Sequence, residues 1–295
     1  LLGDLVLKAG LPPGVVNILP GDGRVTGAGL VKHPKVRGIT FTGSVPTGKR
    51  LAADAAERLK PTVLELGGKN PQIIFADADL ELALAQTMRG ALMNAGQVCT
   101  SVSRVLVQRS IYKDYVAALE ARISALRIGP GSEDVDIGPL VSAEHRAEVE
   151  RFADIAENAD RARKVFGGHR PKDMDKGYFF VPALFDEVTP DMTIAQEEVF
   201  GPILSVIPFD IEAQALEIAN GLALGLTAGV FTQDISRAMQ FVRRLEAGMV
   251  WVNDWFLSPV QVPHGGVKDS GIGREQGMES LLNYTQTKMV GMRTA

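Results

Sequence analysis

A chain of 295 residues, 45% hydrophobic and 22% charged, has the size and balance of an ordinary globular protein, with enough material for one large domain or two smaller ones. A net charge of −4 without a basic cluster argues against a nucleic-acid partner, and a single cysteine excludes an intrachain disulfide. His33, His145, His169 and His264 are too scattered for metal-ligand spacing, and no apolar run approaches the roughly 20 residues that span a bilayer.

The first residues, Leu1-Leu2-Gly3-Asp4, carry no signal-peptide pattern and start inside a helical stretch, so the natural N-terminus is expected elsewhere and the location cytoplasmic. A helix ends over Leu5–Ala9, closed by Gly10 and the turn Pro12-Pro13-Gly14. The β-branched run Val15–Leu19 reads as a buried strand, Thr26–Lys32 as a short helix and Val36–Thr42 as a second strand. Pro46 suits the first turn of a helix that runs to about Lys60, before a third strand at Thr62–Leu66 stopped by Gly67-Gly68. Such alternation predicts a parallel sheet with crossover helices.

Beyond Asn70, Gln72–Phe75 reads as a strand and Leu80–Asn94 as an amphipathic helix with Leu80, Leu84, Met88, Ala91 and Leu92 on one face. Arg104–Gln108 follows as a strand, then helices at Lys113–Leu126 and Ala143–Asn158. Strand and helix alternate again through Ile203–Pro208, Ala213–Asn220, Thr227–Thr232, Ile235–Ala247 and Met249–Val252, and Tyr284–Met292 reads as a late strand. Residues 128 to 137 and 167 to 178 are the expected exposed loops. The fold class is α/β throughout.

Three segments are able to carry chemistry. Phe41-Thr42-Gly43-Ser44-Val45-Pro46-Thr47-Gly48-Lys49-Arg50 joins a strand to a helix, where outward amides and the helix dipole suit a phosphate; a plain glycine turn is the alternative. Its Gly43–Lys49 spacing also begins a nucleotide-triphosphate loop, but Arg50 stands where that motif needs Ser or Thr for magnesium. Glu65 ends a strand before Gly67-Gly68-Lys69, as a solvated carboxylate or as a general base. Cys99, in Asn94-Ala95-Gly96-Gln97-Val98-Cys99-Thr100-Ser101, is either a small buried hydrophobe or a thiol presented on a turn among backbone N–H donors.

Taken together these segments resemble the aldehyde dehydrogenase superfamily. The match comprises Phe-Thr-Gly-Ser at 41–44 with Gly48, Leu-Glu-Leu-Gly-Gly-Lys at 64–69 and Gly-Gln-Val-Cys at 96–99. It continues through Glu-Glu-Val-Phe-Gly-Pro at 197–202 and Gly-Gly-Val-Lys-Asp-Ser-Gly-Ile-Gly-Arg-Glu at 265–275. The resemblance implies NAD(P)-dependent oxidation of an aldehyde to a carboxylic acid. Cys99 would be the nucleophile that forms a thiohemiacetal and then a thioester, with its own backbone N–H on the oxyanion. Glu65 would activate the hydrolytic water. Gly43, Ser44 and Gly48 would lie near the pyrophosphate, Leu66 and Gly67 at the nicotinamide end, Glu198 on the nicotinamide ribose and Phe200 beside it.

The resemblance implies a Rossmann-like cofactor domain represented by its second half only, at residues 1–68. It further implies an α/β catalytic domain at 69–270 and a return segment with an oligomerisation strand at 271–295. Family members carry further sequence upstream, including an asparagine of the oxyanion hole and contacts to the adenosine ribose. NAD and NADP therefore remain alternatives, as do a homodimer and a homotetramer. The missing half-sheet raises a second reading, an inactive fragment or structural subunit. His264 stands where many relatives have an aromatic residue and reads better as a packed histidine than as a substrate contact. Trp255 and Phe256, in the 254–263 loop, read as a substrate-entrance wall or simply as packed rings.

Overall fold

Two main sheets and a two-stranded one, Leu224–Gly225 with Val267–Lys268, organise the described residues, and the second candidate segment sits where the chain passes between the main two. The computed structural model describes residues 1–294. The strands in chain order are β1 (Ile39–Thr42), β2 (Thr62–Glu65), β3 (Asn70–Ile74), β4 (Val102–Gln108), β5 (Arg163–Phe166) and β6 (Ala183–Asp186). They continue with β7 (Ile203–Phe209), β8 (Leu224–Gly225), β9 (Thr227–Phe231), β10 (Met249–Val252), β11 (Val267–Lys268) and β12 (Gly271–Ile272).

The larger sheet has seven strands in the order β10-β9-β3-β4-β7-β6-β5. Every neighbouring pair is parallel except β5 and β6. Its central strands are buried on both faces, so they read as continuous apolar runs such as Val105-Leu106-Val107 rather than alternating ones. The smaller sheet is β1-β2-β12, with β1 parallel and β12 antiparallel to β2. The α/β class and the parallel sheet thus hold.

Several elements differ from the sequence expectation. Val15–Leu19 is not a strand: Val15, Val16, Ile18 and Leu19 are all exposed, and β-branched residues form a strand only where a neighbour supplies ladder partners. Tyr284–Met292 is no strand either: the segment is exposed throughout and pairs with no strand, and Tyr284 meets β1 through its side chain, its hydroxyl sharing a 2.8 Å hydrogen bond with that of Thr40. The second strand is shorter, starting at Ile39. The helix expected to reach Asn94 stops at Leu92, since Asn94, Ala95 and Gly96 all take left-handed backbone conformations. β5 and β6 went unread, being short and lacking a regular apolar period.

Candidate active site

β1 and β2 run in parallel with Thr42 opposite Glu65, and the Gly43 N–H extends the ladder by donating to the Glu65 carbonyl at 3.0 Å. The two motifs that end these strands are therefore side by side. Helix Val45–Ala56 starts directly after, with Pro46 in its first turn and Ser44 as N-cap. Ser44 does not cap it: its hydroxyl donates to the Thr47 hydroxyl at 3.0 Å, which leaves the first helical amides open to an anion. Gly43 and Ser44 are exposed, whereas Gly48 and Leu66 are buried against each other. Lys49 does not face this loop; its ammonium pairs with Asp269 at 2.7 Å.

Glu65 is 3% exposed, and neither carboxylate oxygen has a hydrogen-bond partner. Burial, reinforced by the charge of Glu275 and opposed by Arg274, lifts its pKa to about 8. The motif at 265–275 builds this enclosure. β12 pairs with Leu64-Glu65, His264 and Glu275 exchange two backbone hydrogen bonds of 2.7 Å, and the His264 Nε2 stands 3.9 Å from Glu65 Oε2. Ser270, fully buried, locks the strand exit: its hydroxyl donates to the Gly67 carbonyl at 2.6 Å and accepts from the Gly225 N–H at 2.9 Å.

The turn that presents Cys99 comes from the early end of helix Leu80–Leu92. Three successive residues at positive φ, Asn94, Ala95 and Gly96, reverse the chain; glycine and asparagine adopt this conformation readily, while Ala95 costs about 1–2 kcal/mol. Gln97 holds the reversal by donating to the Asn94 carbonyl at 3.0 Å and accepting from the Val141 N–H at 2.9 Å. Cys99 is half-buried, neither sealed in hydrocarbon nor free in solvent. Burial and the charges of Glu198 and Glu65 push its thiol pKa up, while the backbone N–H groups of Thr100 and Cys99 pull it down. The sulfur and both carboxylates therefore share one electrostatic neighbourhood.

Glu198 reaches the same place from the 197–202 motif. Its Oε1 accepts from the Gly68 N–H at 3.0 Å. A Cβ on Gly67 would fall 2.1 Å from Glu198 Oε2, and one on Gly68 would fall 2.6 Å from the Cys99 carbonyl, so only glycines let these three segments meet. Burial raises the Glu198 pKa; the Gly68 N–H and Lys69 oppose it. Phe200 is 41% exposed with positive φ, and its carbonyl meets His145 Nε2 at 2.7 Å. It is no core residue.

A model of the aldehyde dehydrogenase family matches residues 1–290. The chain belongs to the aldehyde dehydrogenase family. It is 45% identical over 291 residues to the betaine aldehyde dehydrogenase of Sinorhizobium fredii, covering 98% of this chain and 59% of the relative. It is 46% identical over 292 residues to betaine aldehyde dehydrogenase 1 of Rhizobium meliloti, with the same two coverages. Among solved structures, betaine aldehyde dehydrogenase of Staphylococcus aureus in complex with NAD+ superposes with a TM-score of 0.93 at 41% identity, over 96% of this chain and 56% of that one. An aldehyde dehydrogenase variant from Bacillus cereus does so at 0.93 and 43% identity, over 96% of this chain and 57% of that one. The chain thus spans just under three-fifths of the length of the relatives it matches.

Within this aldehyde dehydrogenase chain, Cys99, Glu65, Gly67 and Glu198 come together; Gly43, Ser44, Gly48 and Leu66 lie at the adjoining strand end. Phe200 sits on the exposed side of the Glu198 segment. Trp255 is fully buried and packs on Trp251 with ring centroids 4.9 Å apart, so the packed reading of that ring holds. Sequence reasoning passed over a cleft of about 1000 Å³ between Asp22–Val31 and Thr47–Asp54. Gly21-Asp22-Gly23-Arg24-Val25-Thr26-Gly27 was its available signal, a second glycine-spaced helix start. Lys69, Asn70 and Ser270 were missed as well. Among the described residues no helix is long and apolar enough to cross a membrane, and no cluster of three metal-binding side chains occurs.

Proposed function

We propose that this chain carries the catalytic half of an NAD(P)-dependent aldehyde dehydrogenase, with Cys99 as nucleophile and Glu65 as base. The observation that carries the reading is the convergence of a half-buried thiol and a buried, unpartnered carboxyl in one electrostatic neighbourhood. Betaine aldehyde, named by the relatives, is the first substrate to assay.

The steps follow from the groups present. The thiol proton passes to Glu65 or solvent as the sulfur bonds to the aldehyde carbon, giving a thiohemiacetal whose oxygen meets the Cys99 N–H. Oxidation of that carbon to the thioester removes two electrons and a proton, which a bound nicotinamide cofactor accepts. Water then attacks the thioester carbonyl, Glu65 takes the water proton, and the C–S bond breaks to free the acid and the Cys99 thiolate. A base whose pKa lies near 8 is poised for this: partly ionised at neutral pH, yet basic enough to take a proton from water.

The residues fit such a cofactor. The uncapped start of helix Val45–Ala56, with Gly43 and Ser44 exposed, suits a pyrophosphate, and the cleft beside Thr47 and Leu51 has room for an adenosine. Glu198 and Phe200 would hold and cover the ribose nearest Cys99, next to Gly67 and Leu66. On this reading residues 1–68 form half of the cofactor domain, 69–270 the catalytic domain and 271–295 the return segment. The choice between NAD and NADP, assembly as a homodimer or homotetramer and a cytoplasmic location all belong to the same reading. The test is aldehyde oxidation by the natural-length protein and its Cys99→Ala variant. Turnover lost with the sulfur supports the proposal; turnover retained ends it.

A further inference from the structure

The loop that presents the nucleophile is held by its carbonyls. The Val98 carbonyl accepts from the Ser101 N–H at 2.9 Å, the Cys99 carbonyl from Asn70 Nδ2 at 2.9 Å, the Thr100 carbonyl from Trp255 Nε1 at 3.0 Å and the Ser101 carbonyl again from Asn70 Nδ2 at 2.8 Å. Four consecutive carbonyls are thus held, the first within the loop and the other three by the buried side chains of Asn70 and Trp255. Because a trans peptide sets its N–H opposite its C=O, pinning the carbonyls of Val98 and Cys99 turns the N–H groups of Cys99 and Thr100 the other way. Those are the two N–H groups that stabilise the Cys99 thiolate.

Among the described residues, Asn70 is the only one whose side chain holds two of the four. It is 2% exposed, opens β3, and spends its remaining polar atom accepting from the Thr227 N–H of β9 at 3.1 Å. Its amide therefore ties the nucleophile loop to the rigid centre of the larger sheet, with both of its N–H donors and one lone pair of its oxygen used. The register slips between Asn70 and Pro71 against β4, and this irregularity sets the side chain beneath the loop. A Cβ on Gly68 would lie 2.6 Å from both Asn70 Oδ1 and the Cys99 carbonyl, so the glycine next to Gly67 leaves space for the clamp.

We propose that Asn70 is the positioning residue of the nucleophile, fixing the Cys99–Thr100 peptide so that the Thr100 N–H faces the sulfur. The proposal rests on reading Cys99 as the nucleophile, and it assigns to Asn70 a role that acts through the backbone rather than by touching substrate. Preorganised donors of this kind act where charge develops and cost no reorganisation during the reaction.

The test is the rate of Cys99 alkylation by iodoacetamide between pH 6 and 11, in wild type, Asn70→Ala and Asn70→Ser. Losing one oriented donor to a thiolate is expected to slow alkylation of Asn70→Ala about tenfold at pH 7, with the rates converging at high pH where every thiol is ionised. Asn70→Ser keeps a hydroxyl donor, is the milder change to the fold, and is expected to fall between the two. In turnover, kcat falls while the KM for aldehyde stays near its wild-type value. Identical profiles in all three proteins would overturn the proposal, and so would a slowing by the same factor at every pH, which reports altered access rather than altered ionisation. Alkylation needs neither aldehyde nor cofactor. A wild-type protein that shows the pH-dependent split yet oxidises no aldehyde sinks the proposed function and leaves the role of Asn70 standing.

Discussion

Glu65→Gln should make the protein more stable, and by an amount that depends on pH. The carboxyl is 3% exposed, has no hydrogen-bond partner, and titrates near 8 instead of 4.5. Between those two values the unfolded chain has released the proton and the folded protein still holds it, so folding takes a proton up and stability falls as pH rises through that window. At roughly 1.4 kcal/mol per pH unit, the cost is near zero at pH 4.5, about 3 kcal/mol at pH 7, and levels off above pH 8. Glutamine fills the same space without a charge to lose, so its own burial cost is constant with pH. Thermal melts of wild type and Glu65→Gln at pH 5 and pH 7.5 should differ little at the first and by several degrees in favour of the variant at the second. The variant should also be unable to release an acyl group from Cys99, a case of stability surrendered for activity. A melting difference that is the same at both pH values, or that favours wild type more strongly at pH 7.5, would refute this placement of Glu65.

Lys69 gives the opposite signature. Its ammonium is buried without a partner, and burial beside Arg104 lowers its pKa to about 7, so its cost is full below pH 7 and fades as pH rises towards 10.5. Lys69→Met should raise the melting temperature most at pH 6 and least at pH 9.5; a gain that grows with pH would contradict this. Gly67→Ala places a methyl where Glu198 Oε2 lies, 2.1 Å from the new carbon, so the Glu198 carboxylate must swing off the Gly68 N–H. Loss of that charge-assisted bond should raise the KM for the cofactor about tenfold, measured by initial rates at saturating aldehyde. Hydrolysis of the acylated protein should accelerate with pH up to an inflexion near 8, set by Glu65, and the inflexion should vanish in Glu65→Gln.

Much of the α/β architecture is legible because the buried parallel strands are short apolar runs between glycine and proline punctuation, as at Thr62–Glu65 before Gly67. Val15–Leu19 has the same composition and forms no strand, since composition reports affinity for a sheet and not the presence of a neighbouring edge. The site was legible as motifs but not as a constellation. Nothing in the spacing of Glu65, Cys99 and Glu198 says that glycines at 67 and 68 let their segments meet. Asn70 and Ser270 escaped because a buried polar residue is informative only once its partners are known, and those partners lie 29 to 203 positions away, as with Asn70 to Cys99 and Ser270 to Gly67.

The most direct trial of the mechanism is intact-mass analysis of natural-length Glu65→Gln protein, quenched in acid after mixing with NAD+ and betaine aldehyde. A covalent acyl group should accumulate on Cys99, in step with the reduced cofactor formed, and the same mixture with Cys99→Ala should give neither. Reduced cofactor appearing without any acyl group on the protein, or appearing when the sulfur is gone, would contradict the account.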